Sequence, residues 1–182
     1  NRRVARIALR ESNHHNAPLS VALIHMVTRS MPNIPVIWID GGYSTTATQE
    51  FARLLEEKLD LNLHVYRPKP GQQAMSGQSR VPRHGSSSYE RFVERIKLEP
   101  FRRTLDTWWP DYWVTRIRAD QTAYRRSLEV LSKGPQGVVR IAPLLRWTEV
   151  DVEGNIYNNG LPDSVDPTKP SAERKCGLQT VA

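Results

Sequence analysis

Val36-Ile37-Trp38-Ile39-Asp40-Gly41-Gly42-Tyr43 is the stretch that decides the fold. Four apolar, β-prone residues run without polar alternation and stop at an Asp-Gly-Gly turn. Alternation would mark a strand with one wet face. A continuous apolar run marks a strand covered on both faces, as in a parallel sheet. Upstream, Pro32 and Pro35 punctuate the connection. Before them, Leu19 to Val27 is apolar almost all round, with Leu23, Ile24 and Val27 at helical spacing, which predicts a buried helix. Val4 to Leu9 predicts a first strand, broken by the polar run from Arg10 to Pro18. Downstream, Thr46 to Leu59 places Phe51, Leu54, Leu55 and Leu59 on one helical face, and Asn62 to Tyr66 predicts another strand.

Further along, Pro68 to Ser88 is rich in Gly, Pro, Ser and Gln and lacks apolar periodicity, which predicts a long loop of the kind that often covers an active site. Tyr89 to Trp109 has a helical pattern, with a break and restart expected at Glu99-Pro100. Tyr112 to Ile117 and Val138 to Ala142 predict strands. Thr148-Glu149-Val150-Asp151 has the form of a capping box opening a last helix that stops near Asn159-Gly160. Strands alternating with helices predict a doubly wound, mostly parallel α/β sheet. In such sheets ligands sit outside the carboxyl ends of the strands. That rule gathers the segments after Leu9, Ile39 and Ile117 around one crevice. The expected organisation is an α/β domain over residues 1–160 and a mobile tail over 161–182.

With 182 residues, 38% hydrophobic and 25% charged, the chain has the composition of one globular domain. No apolar run is long enough for a membrane span, and Asn1-Arg2-Arg3-Val4 is not followed by the apolar stretch of a signal peptide. The net charge of +7 favours an anionic partner. The basic residues are scattered in small groups, Arg102-Arg103, Arg116 with Arg118, and Arg125-Arg126. Nucleic-acid binders more often carry a contiguous basic stripe, so a phosphorylated small molecule is the better fit. One cysteine excludes an internal disulfide framework, and equally a four-cysteine iron–sulfur cluster or Cys-rich zinc site built from this chain alone. A reducing, cytoplasmic setting fits.

Cys176 is the candidate nucleophile. It lies in a polar tail rather than an apolar pattern. Arg174 and Lys175 precede it, and neighbouring cations lower a thiol's pKa. Gly177 leaves the backbone free to bend. No second cysteine is present to resolve an intermediate, so a resolving thiol would come from another protein. Asp40, Gly41, Gly42 and Tyr43 read as a nucleotide pocket, with the plain strand-to-helix turn as the competing reading. Arg116, Arg118, Gln121 and Arg125 follow another strand, and guanidinium groups bind phosphate and sulfate bidentately. The competing reading there is a solvated strand end. His14 and His15 have only Glu11 near ligand spacing, so no metal site is expected. His25 lies inside the apolar helix and reads as a packed residue.

Taken together these residues resemble the phosphoadenylyl-sulfate reductase family. Pro32-Asn33-Ile34-Pro35-Val36-Ile37-Trp38-Ile39-Asp40-Gly41-Gly42-Tyr43 is similar to its strand running into Asp-Thr-Gly-Tyr. Leu61 to Arg67 is similar to its next strand. Lys97-Leu98-Glu99-Pro100 is similar to its Lys-Val-Glu-Pro segment, which brings Lys97 into the substrate set. Arg118 and Asp120-Gln121-Thr122 with Arg125 resemble its Arg-Arg-Glu-Gln-Ser block. Pro143 to Trp147 resembles its Pro-x-x-x-Trp strand, and Cys176-Gly177-Leu178 its catalytic Cys-Gly-Leu tail. The resemblance implies an adenine nucleotide α-hydrolase-like fold. It also implies reduction of 3′-phosphoadenylyl sulfate to sulfite and adenosine 3′,5′-bisphosphate through an S-sulfo adduct on Cys176. Arg174 and Lys175 then belong beside the substrate, with thioredoxin or glutaredoxin as reductant and a homodimer as the assembly often met. Iron–sulfur relatives carry paired cysteines absent here, so no cofactor is expected.

The chain also departs from the family pattern. The family's first loop is rich in Ser and Gly, whereas Ser12-Asn13-His14-His15-Asn16-Ala17-Pro18 has no glycine. Gly41 replaces Thr, Ala119 replaces the second Arg, Lys175 replaces Glu and Gln179 replaces His. These departures carry the second expectation: a divergent nucleotide-binding or sulfur-transfer protein of the same fold that lacks reductase activity.

Overall fold

Six strands form one sheet in the order β3-β2-β1-β4-β6-β5 in the computed structural model, which describes residues 6–10, 17–70, 82–134 and 137–162. In chain order the first elements are β1 (Arg6–Arg10), α1 (Ala17–Ser30), β2 (Pro35–Ile39), α2 (Thr46–Leu59) and β3 (Asn62–Tyr66). A long helix follows, built from α3 (Ser87–Val93), a π-helical turn (Glu94–Leu98) and α4 (Glu99–Trp108). Then come β4 (Tyr112–Val114), a 3-10 turn (Ala119–Gln121), α5 (Ala123–Arg126), β5 (Leu131–Lys133), β6 (Val139–Ile141) and α6 (Glu149–Asn158). All neighbours pair in parallel except β5, which runs antiparallel to β6. The chain is a doubly wound, mostly parallel α/β fold.

β2 is buried at all five positions, as its uninterrupted apolar run requires. Val36 and Val114 face the principal core, built by Leu19, Val21, Ala22, Leu23 and Val27 of α1, Leu55 of α2, and Val152 and Ile156 of α6. Trp113 packs with Leu105 and Phe101 of α4 in a second cluster. Helices therefore cover both faces. Leu23 and Val36 are fully buried, and truncating such a leucine to Ala costs about 2–5 kcal/mol.

Three expectations are corrected. The restart expected at Glu99-Pro100 is where α4 begins, with Pro100 in its first turn, but no break precedes it. Pro100 has no N–H to donate and its ring crowds the carbonyl four residues back. The chain meets this by widening, so that the Glu99 N–H reaches the Glu94 carbonyl across a π-turn instead of stopping. The strand expected over Tyr112 to Ile117 ends at Val114: the Thr115 N–H donates to the Ile141 carbonyl at 2.8 Å as the last rung of the ladder, and the partner strand β6 itself stops at Ile141. β5 and α5 were not foreseen. Leu131-Ser132-Lys133 is a short, mostly exposed edge strand, too brief to leave a periodic signal. The capping box at Thr148 forms: its hydroxyl accepts the Asp151 N–H at 3.3 Å while the Asp151 carboxylate accepts the Thr148 N–H at 2.7 Å. Among the described residues no helix is long and apolar enough to cross a membrane.

Candidate functional site

The sheet order turns on β1. β2 and β3 lie to one side of it and β4 to the other, so the strand order reverses between β1 and β4. In sheets of this kind that reversal is where a ligand crevice is expected, at the carboxyl ends of the strands. The exits of β2 and β3 form one wall, and the exits of β4 and β6 the other.

At the β2 exit, Asp40 is buried, 2% exposed. Its Oδ1 accepts the Gly42 N–H at 3.0 Å and the Ser44 hydroxyl at 3.2 Å, which folds the turn. Its Oδ2 accepts Nε of Arg67 at 3.0 Å. The Asp40 N–H donates to the Tyr66 carbonyl at 2.9 Å, so the exits of β2 and β3 are tied together. Gly42 sits at φ 84°, where a side chain would be strained. Tyr43 meets Phe92 of α3 edge-to-face at 5.4 Å. Thr45 then caps α2, its hydroxyl accepting the Thr48 N–H at 3.2 Å.

At the β4 exit, the Ala119 N–H donates to the Leu145 carbonyl at 2.8 Å, fixing this segment beside the one that leaves β6. Arg118 forks onto Asp120, Nε to Oδ1 at 3.0 Å and Nη2 to Oδ2 at 2.6 Å. The Gln121 side-chain oxygen accepts from the Arg118 N–H at 3.4 Å and from Nη1 of Arg125. Thr122 caps α5 by accepting the Arg125 N–H at 3.1 Å. Arg125 is half-buried, and burial pulls its guanidinium below the ordinary arginine value. No described carboxylate pairs with it. Arg116 is half-buried on the same segment. A dehydrated cation with a neutral amide as its neighbour is primed for an anion from solution.

The long helix closes the wall beside β3. Lys97 is half-buried within the π-turn, a feature frequent at functional sites. Glu99 accepts Nε of Arg103 at 3.1 Å and stands 3.5 Å from Lys69. Arg103 also donates from Nη2 to the Arg67 carbonyl and lies 5.8 Å over the Tyr66 ring. The Tyr66 hydroxyl in turn accepts the Trp108 indole N–H at 2.7 Å. Among the described residues no group of three or more His, Cys, Asp or Glu is arranged to hold a metal ion.

Residues 19–164 match the phosphoadenosine phosphosulfate reductase domain family. The chain belongs to that family. A phosphoadenosine 5′-phosphosulfate reductase of Synechococcus sp. is 35% identical over 146 residues, which are 79% of this chain and 62% of that protein. The Erwinia tasmaniensis reductase is 36% identical over 141 residues, 76% of this chain and 57% of that protein. The chain thus spans about three fifths of the length of these relatives. The phosphoadenylyl-sulfate reductase of Candida auris, solved as a phosphate complex, superposes with a TM-score of 0.66 at 20% identity, covering 86% of this chain and 74% of that one. The U34-tRNA thiolase NcsA of Methanococcus maripaludis, solved with its 4Fe-4S cluster, follows at 0.60 and 15% identity, covering 92% and 60%. These two likenesses show the fold.

Within this phosphoadenosine phosphosulfate reductase domain, the residues expected from sequence fall on both walls. Asp40, Gly41, Gly42 and Tyr43 lie at the β2 exit. Arg116, Arg118, Gln121 and Arg125 lie at the β4 exit, and Lys97 lies in the long helix. Cys176, Arg174 and Lys175 lie outside the described residues, as do His14, His15 and Ser12 to Asn16 of the first loop. Arg67, Lys69, Glu99 and Arg103 form a network that was not singled out from sequence. The signal was available for Arg67: it directly follows a predicted strand, and the rule that located Arg118 applies equally to it.

Proposed function

We propose that the chain reduces 3′-phosphoadenylyl sulfate. The observation that carries this reading is Arg125, a half-buried guanidinium with no described carboxylate partner at the strand-order reversal of a domain of this family. Lys97, Arg116 and Arg118, with Arg174 and Lys175 from the tail, supply further positive charge for a nucleotide bearing phosphate and sulfate groups. The Asp40-Gly41-Gly42-Tyr43 turn takes the nucleoside side.

The Cys176 thiolate attacks the sulfate sulfur. A sulfur–oxygen bond breaks, adenosine 3′,5′-bisphosphate leaves with the electron pair, and an S-sulfo group remains on Cys176. A thiol of thioredoxin or glutaredoxin then attacks Sγ and releases sulfite. Its second thiol frees Cys176, leaving the disulfide on the reductase partner. The residues from 161 onward act as the arm that carries Cys176 between the nucleotide domain of residues 1–160 and the reductant, in a cytoplasmic homodimer. The single cysteine supports a reaction without an iron–sulfur cluster.

The test is sulfite release from 3′-phosphoadenylyl sulfate with reduced thioredoxin, wild type beside Cys176→Ser. Release that disappears in the variant is expected. A folded wild type that binds adenosine 3′,5′-bisphosphate without releasing sulfite would favour the second reading, a nucleotide-binding relative whose glycine-free first loop has lost the reaction.

A further inference from the structure

We propose that Arg67 is a specificity-determining residue that reads a second anionic group on the nucleotide, the 3′-phosphate. The proposal rests on the sulfonucleotide reading of the crevice and deepens it. Arg67 follows β3 directly, at the carboxyl end of the sheet. Its backbone is clamped, because its carbonyl accepts Nη2 of Arg103, itself forked on Glu99. Among the described residues its side chain is oriented by one hydrogen bond, Nε to Oδ2 of Asp40 at 3.0 Å. Neutralising the buried Asp40 is the plain account of that contact, and it leaves the remaining donors unexplained.

An arginine serving only as counter-ion tends to spend its Nε–Nη2 edge on both carboxylate oxygens. Arg118 does so on Asp120, and Arg103 does so on Glu99. Arg67 is held by Nε alone, against an aspartate whose other oxygen is occupied by Gly42 and Ser44. Among the described residues nothing hydrogen-bonds its Nη groups. Its side chain is 56% exposed while that of Asp40 is 3% exposed. The result is a guanidinium pinned at its base, with its outer donors presented to solvent at the crevice wall.

The other cationic group, Arg116 and Arg125, lies at the β4 exit. Three strand spacings separate β3 from β4, roughly 14 Å at 4.8 Å each. Two cationic centres on opposite walls suit a ligand with anionic groups on either side of a ribose. A nucleotide charged on one side only would leave one centre unused. Because Asp40 belongs to the nucleoside turn and orients Arg67, recognition of the sugar and of its phosphate is built from one hydrogen-bonded unit.

The experiment is equilibrium binding of adenosine 3′,5′-bisphosphate and of adenosine 5′-monophosphate to the 182-residue chain. Wild type is measured beside Arg67→Gln and Arg67→Lys, with a thermal melt on each. Arg67→Lys retains a charge for Asp40 and removes the planar pair of Nη donors, so it controls for any loss of folding in Arg67→Gln. Bisphosphate affinity is expected to fall roughly tenfold or more in both variants, the scale of a lost charge-assisted hydrogen bond. Monophosphate affinity is expected to stay within about twofold. Equal losses for the two nucleotides, or no loss for either, would overturn the proposal and leave Arg67 as a support for the Asp40 turn. A folded wild type that binds neither nucleotide overturns the sulfonucleotide reading itself, and this inference with it.

Discussion

Arg125 and His25 are both basic side chains lowered by burial, and they behave oppositely on solvent change. Arg125 stays charged at any ordinary pH, because even a lowered guanidinium value lies far above neutrality. Its partial burial is offset in part by the Gln121 amide and would be offset further by a bound anion. Arg125→Lys keeps the charge but gives up the fork, including the bond to Gln121. We expect about a tenfold loss in affinity for adenosine 3′,5′-bisphosphate by calorimetry, with the melting midpoint nearly unchanged. An unaltered affinity would remove Arg125 from the site. His25, on α1, is held below its ordinary value of 6.5, by burial first and by Arg29 second. Below 6.5 the unfolded chain therefore binds more protons than the folded one, and stability rises with pH through that window. The contribution is complete above 6.5 and declines as pH falls toward the lowered folded value. Denaturant midpoints measured from pH 7.5 down to 5 should fall, and His25→Gln should flatten that part of the decline. Superimposable wild-type and variant curves would contradict this account of His25.

Three junctions that lead into strands carry a residue with left-handed backbone: Asn33 before β2, Asp60 before β3 and Trp109 before β4. Asn and Asp tolerate this conformation, whereas a bulky residue there is strained. Trp109 is also 71% exposed, so its indole gains little from burial. Trp109→Gly should raise the stability of the chain by about 1 kcal/mol in urea denaturation. A decrease would mean that the ring contributes packing that outweighs the backbone strain. The same elements show why the sequence could be read so far. α2 and β3 were legible to the residue because an amphipathic stripe and a short β-prone run each ended at a turn signal, Asp60 among them. The π-turn was not legible. The proline that signals a break also permits a wider turn, and only tertiary support from the Tyr89, Phe92, Val93 and Ile96 cluster selects the second. The sequence extends β4 too far because Thr115 to Ile117 is as β-prone as the strand itself, whereas the strand's end is set by its partner β6, which stops at Ile141.

At the scale of the molecule, the crevice follows from strand order, and strand order follows from which apolar runs are buried on both faces. That much was carried by Val36 to Ile39 and the helices around it. The site was legible only in part. Single cations at predicted strand ends could be named, but the pairing of Arg118 with Asp120, of Arg67 with Asp40, and the lack of a described carboxylate beside Arg125 are facts of three-dimensional packing. The π-turn has a consequence for how the two halves of the long helix are phased. A π-turn is equivalent to one inserted residue, a rotation of roughly 100° about the helix axis. Upstream of it the helix presents Tyr89, Phe92 and Val93, and from within it Ile96, to one cluster, and downstream it presents Phe101 and Leu105 to another, beside Trp113. The helix works as an angular coupler between two cores, set by a single residue of register. Deleting Arg95 should restore a regular α-helix with little change in helical circular dichroism. It should also swing Glu99 and Arg103 out of line with the Arg67 carbonyl, lowering the melting midpoint and nucleotide affinity together. In this chain one residue of helix length sets the aim of a binding wall built on a different strand.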